Sequence, residues 1–238
     1  NGNGYNTGVG GDTVFDVANN GSAVNGSAQT KRNQIFSFFG VENLRLENVQ
    51  MLGGRYWAFA AGNVRDVVMN DIFIDFGESS DRDEYNYDGI HFKGMTQNVR
   101  MKNITLRNCK DDNIALNAHA QLSIYEDDIS FIKDVSMENI FIDGKAMGVG
   151  LYSETADSRM DRIFIKNISG TTESHAVRIT NGNGADGDGN FGSITIDGVD
   201  VDITGSSTLG GDDGTFNIHG NIEKLHLKNL VRQDFTKA

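Results

Sequence analysis

Three aspartates at the starts of two similar segments are suited by type and position to acid–base chemistry. Asp88 opens the segment Asp-Gly-Ile-His-Phe-Lys, and Asp112, preceded by Asp111, opens Asp-Asn-Ile-Ala-Leu-Asn. If the two segments are neighbouring strands, three carboxyl groups crowd together. Such crowding raises the pKa of at least one carboxyl group, as a general acid at neutral pH requires. The alternative is that these aspartates form turns by accepting backbone hydrogen bonds at the starts of strands.

Other polar side chains follow in the same segments and in two later segments of similar pattern. The later segments are Val149-Gly-Leu-Tyr-Ser-Glu and Ala176-Val-Arg-Ile-Thr. Because successive side chains of a strand point to opposite faces, stacking the four segments predicts two outward columns. The first column is His91, Ala115, Tyr152 and Arg178. The second is Lys93, Asn117, Glu154 and Thr180. We expect six members of these columns to bind the ligand that lies beside the aspartates: Arg178, His91, Lys93, Asn117, Tyr152 and Glu154.

Simpler roles are open for some of these residues. His91 could be an exposed histidine with no special task. Arg178 could pair with Glu173 at the surface, where ion pairs contribute little to stability. Trp57 and Phe59 are expected to fill the interior of the fold rather than to stack on a ligand.

The elements that would position these residues are indicated by a repeat. The pattern apolar, any, apolar, any, Asn (or Asp or Gly), apolar occurs seven times, with 23 to 36 residues between successive last positions. The instances begin at residues 44, 67, 99, 135, 163, 194 and 225. Alternation of period two predicts a strand with one buried face, and the chain must turn where the alternation breaks. Asparagine tolerates the left-handed backbone of such a corner, so stacked corners predict an asparagine ladder.

The repeat predicts the fold class: all-β, a right-handed parallel β-helix in which each repeat forms one coil. A coil of this size cannot bury its apolar face alone, so its stability depends on stacking against neighbours. We expect at least six coils with one buried row, formed by Met69, Met101, Met137, Ile165 and Ile196. A single domain is expected over residues 1–238, with irregular or partial coils at 1–30, in a chain that could be a piece of something longer.

Composition excludes several function classes. The formal net charge is −12, and no block of Lys or Arg compensates it, which argues against nonspecific binding to nucleic acid or to an anionic membrane. No apolar run approaches the roughly 18 residues that a membrane span needs. Cys109 is the single cysteine, so it cannot form an intrachain disulfide and is expected to be a small buried hydrophobe.

The sequence predicts neither a metal site nor a cofactor. The histidines other than His91 have no common spacing for metal ligation. The Gly- and Asp-rich stretches 181–190 and 210–214 invite a calcium interpretation, but they match neither an EF-hand loop nor the calcium-binding nonapeptide repeat.

Four short motifs, in order, resemble the polygalacturonase-type glycoside hydrolases of the pectin-lyase-like β-helix superfamily. In that family Asn-Thr-Asp-Gly is followed by Asp-Asp, then Gly-His-Gly, then Arg-Ile-Lys. The corresponding motifs here are Asn86-Tyr87-Asp88-Gly89, Asp111-Asp112, Gly148-Val149-Gly150 and Arg178-Ile179-Thr180. The likeness extends from Gln34 to about Ile203. The chain departs from the family where Val149 replaces the histidine and Thr180 replaces the lysine that grips the substrate.

The resemblance implies a cofactor-free glycoside hydrolase that degrades a polysaccharide. The family's inverting mechanism implies that Asp111 protonates the leaving oxygen while Asp88 and Asp112 activate water, with acid and base roughly 6.5 to 9.5 Å apart. Arg178 would hold an acidic or hydroxyl group of the sugar. We therefore expect a depolymerase of a cell-surface or cell-wall glycan that works outside the cell, either secreted or on a virion surface.

Two other hypotheses belong to different classes. The segments that begin at Asp88 and Asp111 are also similar to β-helical tailspike and appendage proteins of bacteriophages. That resemblance implies a β-helix that binds a glycan without cutting it, or a structural shaft, and that assembles as a homotrimer if it is a tailspike. A polysaccharide lyase is the third hypothesis, and it would need a Ca²⁺ site and a basic residue in place of an acid and base pair.

Overall fold

The computed structural model describes residues 3–7, 13–17, 34–53, 56–77, 87–118, 130–145, 147–181, 188–205 and 214–231. Within these ranges all regular secondary structure is β-strand, which confirms the predicted all-β class. None of these residues forms a helix that could cross a membrane. The stretches 182–187 and 206–213, which overlap the two considered for calcium, and Asn86 of the first motif lie outside the described residues.

Two parallel sheets of seven strands each make up the solenoid. The short-strand sheet contains β3 (Phe36–Phe39), β5 (Phe59–Gly62), β7 (Ile90–Lys93), β9 (Asp112–Ala118), β11 (Met147–Ser153), β13 (His175–Thr180) and β15 (Gly214–Ile218). The long-strand sheet contains β4 (Arg45–Leu52), β6 (Arg65–Asp75), β8 (Thr96–Arg107), β10 (Ser130–Asp143), β12 (Ser158–Thr172), β14 (Asn190–Ile203) and β16 (Asn221–Leu230). Each strand pairs with the strand two places along the chain, so one short and one long strand make one coil of a parallel β-helix.

The N-terminal region departs from this arrangement. Strands β1 (Asn3–Thr7) and β2 (Thr13–Val17) pair antiparallel as a separate two-stranded sheet. Irregular or partial coils were expected over 1–30, and the rest of that range lies outside the described residues.

The predicted buried row is confirmed. Met69 pairs in register with Met101, and Met101 with Met137. The row continues through Ile165 to Ile196. All five side chains are at most 1% exposed. The seven repeats are therefore seven stacked coils whose equivalent apolar positions lie on top of one another, and stacking buries the face that no single coil could cover.

The predicted corner is confirmed as well. The fifth residue of every repeat has a positive φ, from 49° at Asn229 to 89° at Gly198. In the middle coils the side chains form a ladder, in which Asn139 Nδ2 donates to Asn103 Oδ1 and Asn167 Nδ2 to Asn139 Oδ1, both at 3.1 Å. Gly198 has no side-chain amide, so the ladder is interrupted there. Asn229 Nδ2 donates instead to the neighbouring Asp197 carboxylate at 2.6 Å.

We expect Met137→Asp to unfold the chain, because it places an unpaired carboxylate in a dry stack between Met101 and Ile165 at a cost of several kcal/mol. The matched control is Ser136→Asp on the outward side of the same strand, beside Arg100. Thermal melting followed by circular dichroism compares the two variants. A melting temperature of Met137→Asp close to that of the control would contradict the buried row.

Candidate active site

The outer face of the short-strand sheet brings the predicted site residues together. In the first column His91 pairs with Ala115, Ala115 with Gly150 and Gly150 with Arg178. In the second column Lys93 pairs with Asn117, Asn117 with Tyr152 and Tyr152 with Thr180. At the start of the strands Met147 pairs with Asp112. Asp112 lies one coil beyond Asp88. The aspartates and both columns thus share one surface, as the stacked segments predict.

The predicted register of β11 is wrong by two residues. Tyr152 lies in the second column, and Gly150 occupies the place expected for Tyr152. Val149, aligned in the prediction with the aspartates, pairs with Ile114 and is fully buried. Glu154, expected in the second column, lies beyond the end of β11. A shift of two residues leaves every side chain on its original face, so period-two alternation could not distinguish the two registers.

The corrected register gives Tyr152 a defined task. A Cβ atom at Gly150 would collide with the Tyr152 ring, so the absence of a side chain there lets the ring lie across the first column. The Tyr152 hydroxyl donates to Asp112 Oδ1 at 2.8 Å. Tyr152 is 5% exposed and its oxygen is engaged with protein. It therefore orients a carboxyl group of the cluster.

The carboxylate cluster, Asp88, Asp111 and Asp112, is crowded and largely removed from water. One oxygen of each carboxyl group lies within 4.8 Å of one oxygen of the other two. Asp88 and Asp112 are buried, at 1% and 6% exposure, and Asp111 is half-buried. The separation of roughly 6.5 to 9.5 Å expected between acid and base is not observed for these oxygens. The reason is geometric, since Asp111 adjoins Asp112 in sequence and stacked coils are about 4.8 Å apart.

Burial raises the pKa of all three carboxyl groups, and the charges of neighbouring carboxylates add to this rise at Asp88 and Asp112. Burial is the main cause for Asp88, whose pKa is well above its usual value, and the charges of Asp112 and Asp111 add to it. Burial and then the charge of Asp111 hold the pKa of Asp112 well above its usual value, against the opposing hydrogen bond from Tyr152. Burial also raises the pKa of Asp111, and the charge of Arg178 opposes that rise. The cluster therefore retains protons toward neutral pH.

Two hydrogen bonds hold Asp88. Its Oδ2 lies 2.5 Å from Nδ1 of His91, and its Oδ1 accepts from the backbone N–H of Asp112 at 3.3 Å. His91 is 4% exposed, so it is not the exposed histidine of the simpler alternative. Its ring stacks on Trp57 with centroids 3.8 Å apart. Trp57 was expected inside the coil, and it is buried against this outer-face histidine, whereas Phe59 is buried in the apolar core.

Two cationic side chains, Lys93 and Arg178, lie on the same outer face. The ammonium nitrogen of Lys93 lies 4.7 Å from the centroid of the Trp57 ring. The guanidinium carbon of Arg178 lies 5.8 Å from the centroid of the Tyr152 ring, and Arg178 Nη1 donates to the sulfur of Met147 at 3.6 Å. The effect of Arg178 on the pKa of Asp111 places its charge beside the cluster.

Met147 is the site residue that sequence reasoning missed. Its sulfur lies 3.7 Å from the hydroxyl oxygen of Tyr152 and accepts a hydrogen bond from Arg178, so it contacts two polar side chains of the site. A methionine at the start of a strand carries no chemical signature. Only the pairing of Met147 with Asp112 could have found it, and that pairing depends on the register of β11.

The three carboxyl groups could also share a metal ion, because hard cations take clustered carboxylate oxygens. Acid–base chemistry needs no such ion. A half-buried carboxylic acid, two buried carboxyl groups beside it and a flanking cation can donate one proton to a substrate and take one from water.

Comparison with known proteins gives a match to a family model. The family model described as glycosyl hydrolases family 28 matches residues 2–203, a range that contains every residue of the site. No curated protein and no solved structure matches the chain.

We expect Asp112→Asn to stabilise the protein at neutral pH. Because the pKa of Asp112 is raised in the folded chain, protonation stabilises the fold fully below the unfolded value near 3.8, and this stabilisation is lost as pH rises through the folded pKa. Asn cannot ionise, so the variant should melt at a higher temperature than the parent at pH 7, with a difference that shrinks toward pH 4.

Asp134→Asn is the matched contrast for this measurement. The hydrogen bond from Arg162 lowers the pKa of Asp134, so its stabilising effect is present above the unfolded pKa and is lost as pH falls. This variant should therefore melt below the parent at pH 7. Equal pH dependence of the two variants in a melting series from pH 4 to 8 would contradict the raised pKa of Asp112.

Proposed function

This chain belongs to glycosyl hydrolases family 28, and from that premise we propose that it is an inverting depolymerase of a cell-surface or cell-wall glycan. Membership makes it a glycoside hydrolase that acts on a polysaccharide. The observation that carries the proposal is the buried carboxylate cluster on the outer face of the short-strand sheet. Since such a polymer is met at a cell surface, we place the action of the protein outside the cell.

Asp111 is the general acid in this proposal. It is the most exposed member of the cluster, and burial raises its pKa. It can therefore hold a proton toward neutral pH and still reach a bound polymer. Asp111 gives this proton to the glycosidic oxygen as the bond to the anomeric carbon breaks. Water attacks that carbon, and its proton passes to Asp88 or Asp112.

Direct attack by water fits the engagement of the two buried carboxyl groups. Both oxygens of Asp88 lie within hydrogen-bonding distance of protein groups, as does one oxygen of Asp112. These hydrogen bonds make both carboxyl groups poorly suited to attack the anomeric carbon themselves. A spacing below 5 Å is shorter than inverting enzymes usually need for a water molecule. In this proposal the water lies between the polymer and the Asp88 and Asp112 pair, so it need not fit between acid and base.

The polymer would lie along the second column, with Arg178 at the end of the first column beside it. Arg178 offers a cation beside the acid, and Lys93 offers one three coils away, past Asn117 and Tyr152. Thr180 stands where the family places a lysine and carries no charge. The site therefore has less positive charge at this position than a polyuronate would require, which supports a neutral or differently charged glycan as substrate.

We expect Asp111→Asn and Asp112→Asn each to lower kcat about 10²- to 10⁴-fold, because Asn keeps the shape of the side chain but cannot transfer a proton. This corresponds to about 3 kcal/mol or more in the barrier. Release of reducing ends from a panel of surface glycans measures the loss, and proton NMR of the first product gives its anomeric configuration, with inversion expected. Asp200→Asn, an exposed carboxylate of β14, serves as the control.

Glycan binding and melting of the Asn variants complete this test. Both should stay near the parent values or, for melting, above them. Cleavage at the parent rate in both variants would make the cluster structural. A protein that only binds glycan would instead depend on Arg178 and Tyr152, with the aspartates dispensable.

We expect kcat/KM for polygalacturonate to be lower than for a neutral glycan, because Thr180 replaces a cation. Thr180→Lys should raise kcat/KM for the polyuronate selectively, since a lysine stem can extend from a buried position to the surface. Efficient turnover of polygalacturonate by the parent would mean that another basic residue, such as Lys93, has taken over.

Arg178→Ala should raise KM with little change in kcat, the mark of uniform binding.

A further inference from the structure

His91 makes two contacts that restrain its ring. Nδ1 lies 2.5 Å from Oδ2 of Asp88, so the two groups are hydrogen-bonded. One face of the ring stacks on Trp57 at 3.8 Å and an interplanar angle of 17°. Trp57 belongs to the preceding coil, so the stack and the hydrogen bond fix the ring from two different coils.

The other ring nitrogen has no visible structural use. Nε2 of His91 is buried and makes no hydrogen bond to any residue that the structure describes. Leaving a buried polar atom unsatisfied costs about 1 to 3 kcal/mol. A phenylalanine would fill the same space and stack on Trp57 without that cost. The stabilising and functional contribution of the imidazole must therefore come from Nδ1 and its contact with Asp88.

The charges around the pair oppose ionisation of both groups. Burial, and then the charge of Lys93 on the same strand, hold the pKa of His91 well below its usual value, so the ring is neutral. The next coil contributes Asp111 and Asp112, which raise the pKa of Asp88 after burial. The thiol of Cys109, close to Gly89, is also protonated, since burial raises its pKa. The preceding coil contributes the uncharged Trp57 and Ala60.

We infer that His91 is a positioning residue for Asp88, to which it donates its Nδ1–H so that the carboxyl group can ionise and face the attacking water. The inference deepens the proposed function and rests on it, because it takes Asp88 as one of the groups that accept the proton of water. In this state Nε2 carries no hydrogen. His91 does not contact the substrate, which differs from the substrate-binding role expected from the sequence.

The proton balance of this step is simple. Ionised Asp88 accepts the Nδ1–H of His91 at Oδ2. When water attacks the anomeric carbon, its proton binds Oδ1 of Asp88, and Oδ2 keeps the hydrogen bond from the ring. No proton has to enter or leave the imidazole. A group that donates to the ionised form of a carboxyl group lowers its pKa, and here that effect opposes burial and the neighbouring carboxylates.

Two variants separate the ring of His91 from its N–H. His91→Phe keeps an aromatic ring against Trp57 but removes the donor. His91→Asn loses the stack, yet its side-chain amide can place an N–H near the position of Nδ1. In the parent, kcat/KM should rise with pH as Asp88 ionises. We expect this rising limb of the pH profile to move at least about one pH unit higher in His91→Phe. In His91→Asn it should stay within about half a unit of the parent.

Three readouts accompany the pH profile. KM at the optimum should be unchanged in His91→Phe, because the ring does not touch the polymer. The carboxyl ¹³C resonance of Asp88, followed by NMR without substrate, should titrate at a higher pH in His91→Phe than in the parent. Melting temperature should fall more in His91→Asn, which has lost the stack, than in His91→Phe.

The outcomes distinguish this inference from the proposed function. An Asp88 titration that does not move in His91→Phe overturns the inference, whether or not the protein is active. So does a pH limb that moves equally in both variants, or a rise in KM with an unmoved limb, which would make His91 a substrate contact. A parent chain that cleaves no glycan overturns the proposed function alone, since the Asp88 titration still reports the hydrogen bond.

Discussion

Coil-on-coil stacking is the constraint on which the rest of this structure depends. No single coil can bury its apolar face, so Met69, Met101 and Met137 are dry only because they lie directly above one another. The same register that aligns these methionines aligns the outer face of the other sheet. Stacking for stability therefore also decides which polar residues become neighbours, and it sets their spacing near that of adjacent strands.

This spacing explains both the chemistry of the site and its energetic disadvantage. Two coils bring Asp88 and Asp112 together, and the adjacent Asp111 completes a cluster whose oxygens lie within 4.8 Å. Burial and like charge raise their pKa values, which destabilises the fold at neutral pH while it keeps a proton available. Tyr152 and His91 hydrogen-bond to two of the three carboxyl groups, so the cluster is oriented as well as crowded.

The arrangement shows which contacts stand in place of the histidine and lysine that the chain lacks from the family motifs. Val149, in the place of the family's histidine, points into the core and pairs with Ile114 and Val177. Met147, Tyr152 and Arg178 make their own set of contacts next to Asp112 instead. Thr180 leaves the end of the second column uncharged. A family 28 hydrolase with this site is therefore expected to select a glycan by different contacts from those that grip a polyuronate.

The sequence by itself determined the faces of the strands. Period-two alternation was enough to predict the coils, the buried row and the asparagine corner, because these depend on which side of a strand each residue occupies. It also predicted that Asp88, Asp111 and Asp112 meet, since they stand at the starts of two neighbouring short strands. Tertiary structure decided between strand registers that alternation cannot distinguish. The register of β11 differs from its prediction by two residues, a shift that preserves every face, and only packing between coils could select it. The contact of Arg178 with Met147 and the burial of His91 against Trp57 follow from that packing, because side chains from different coils make them.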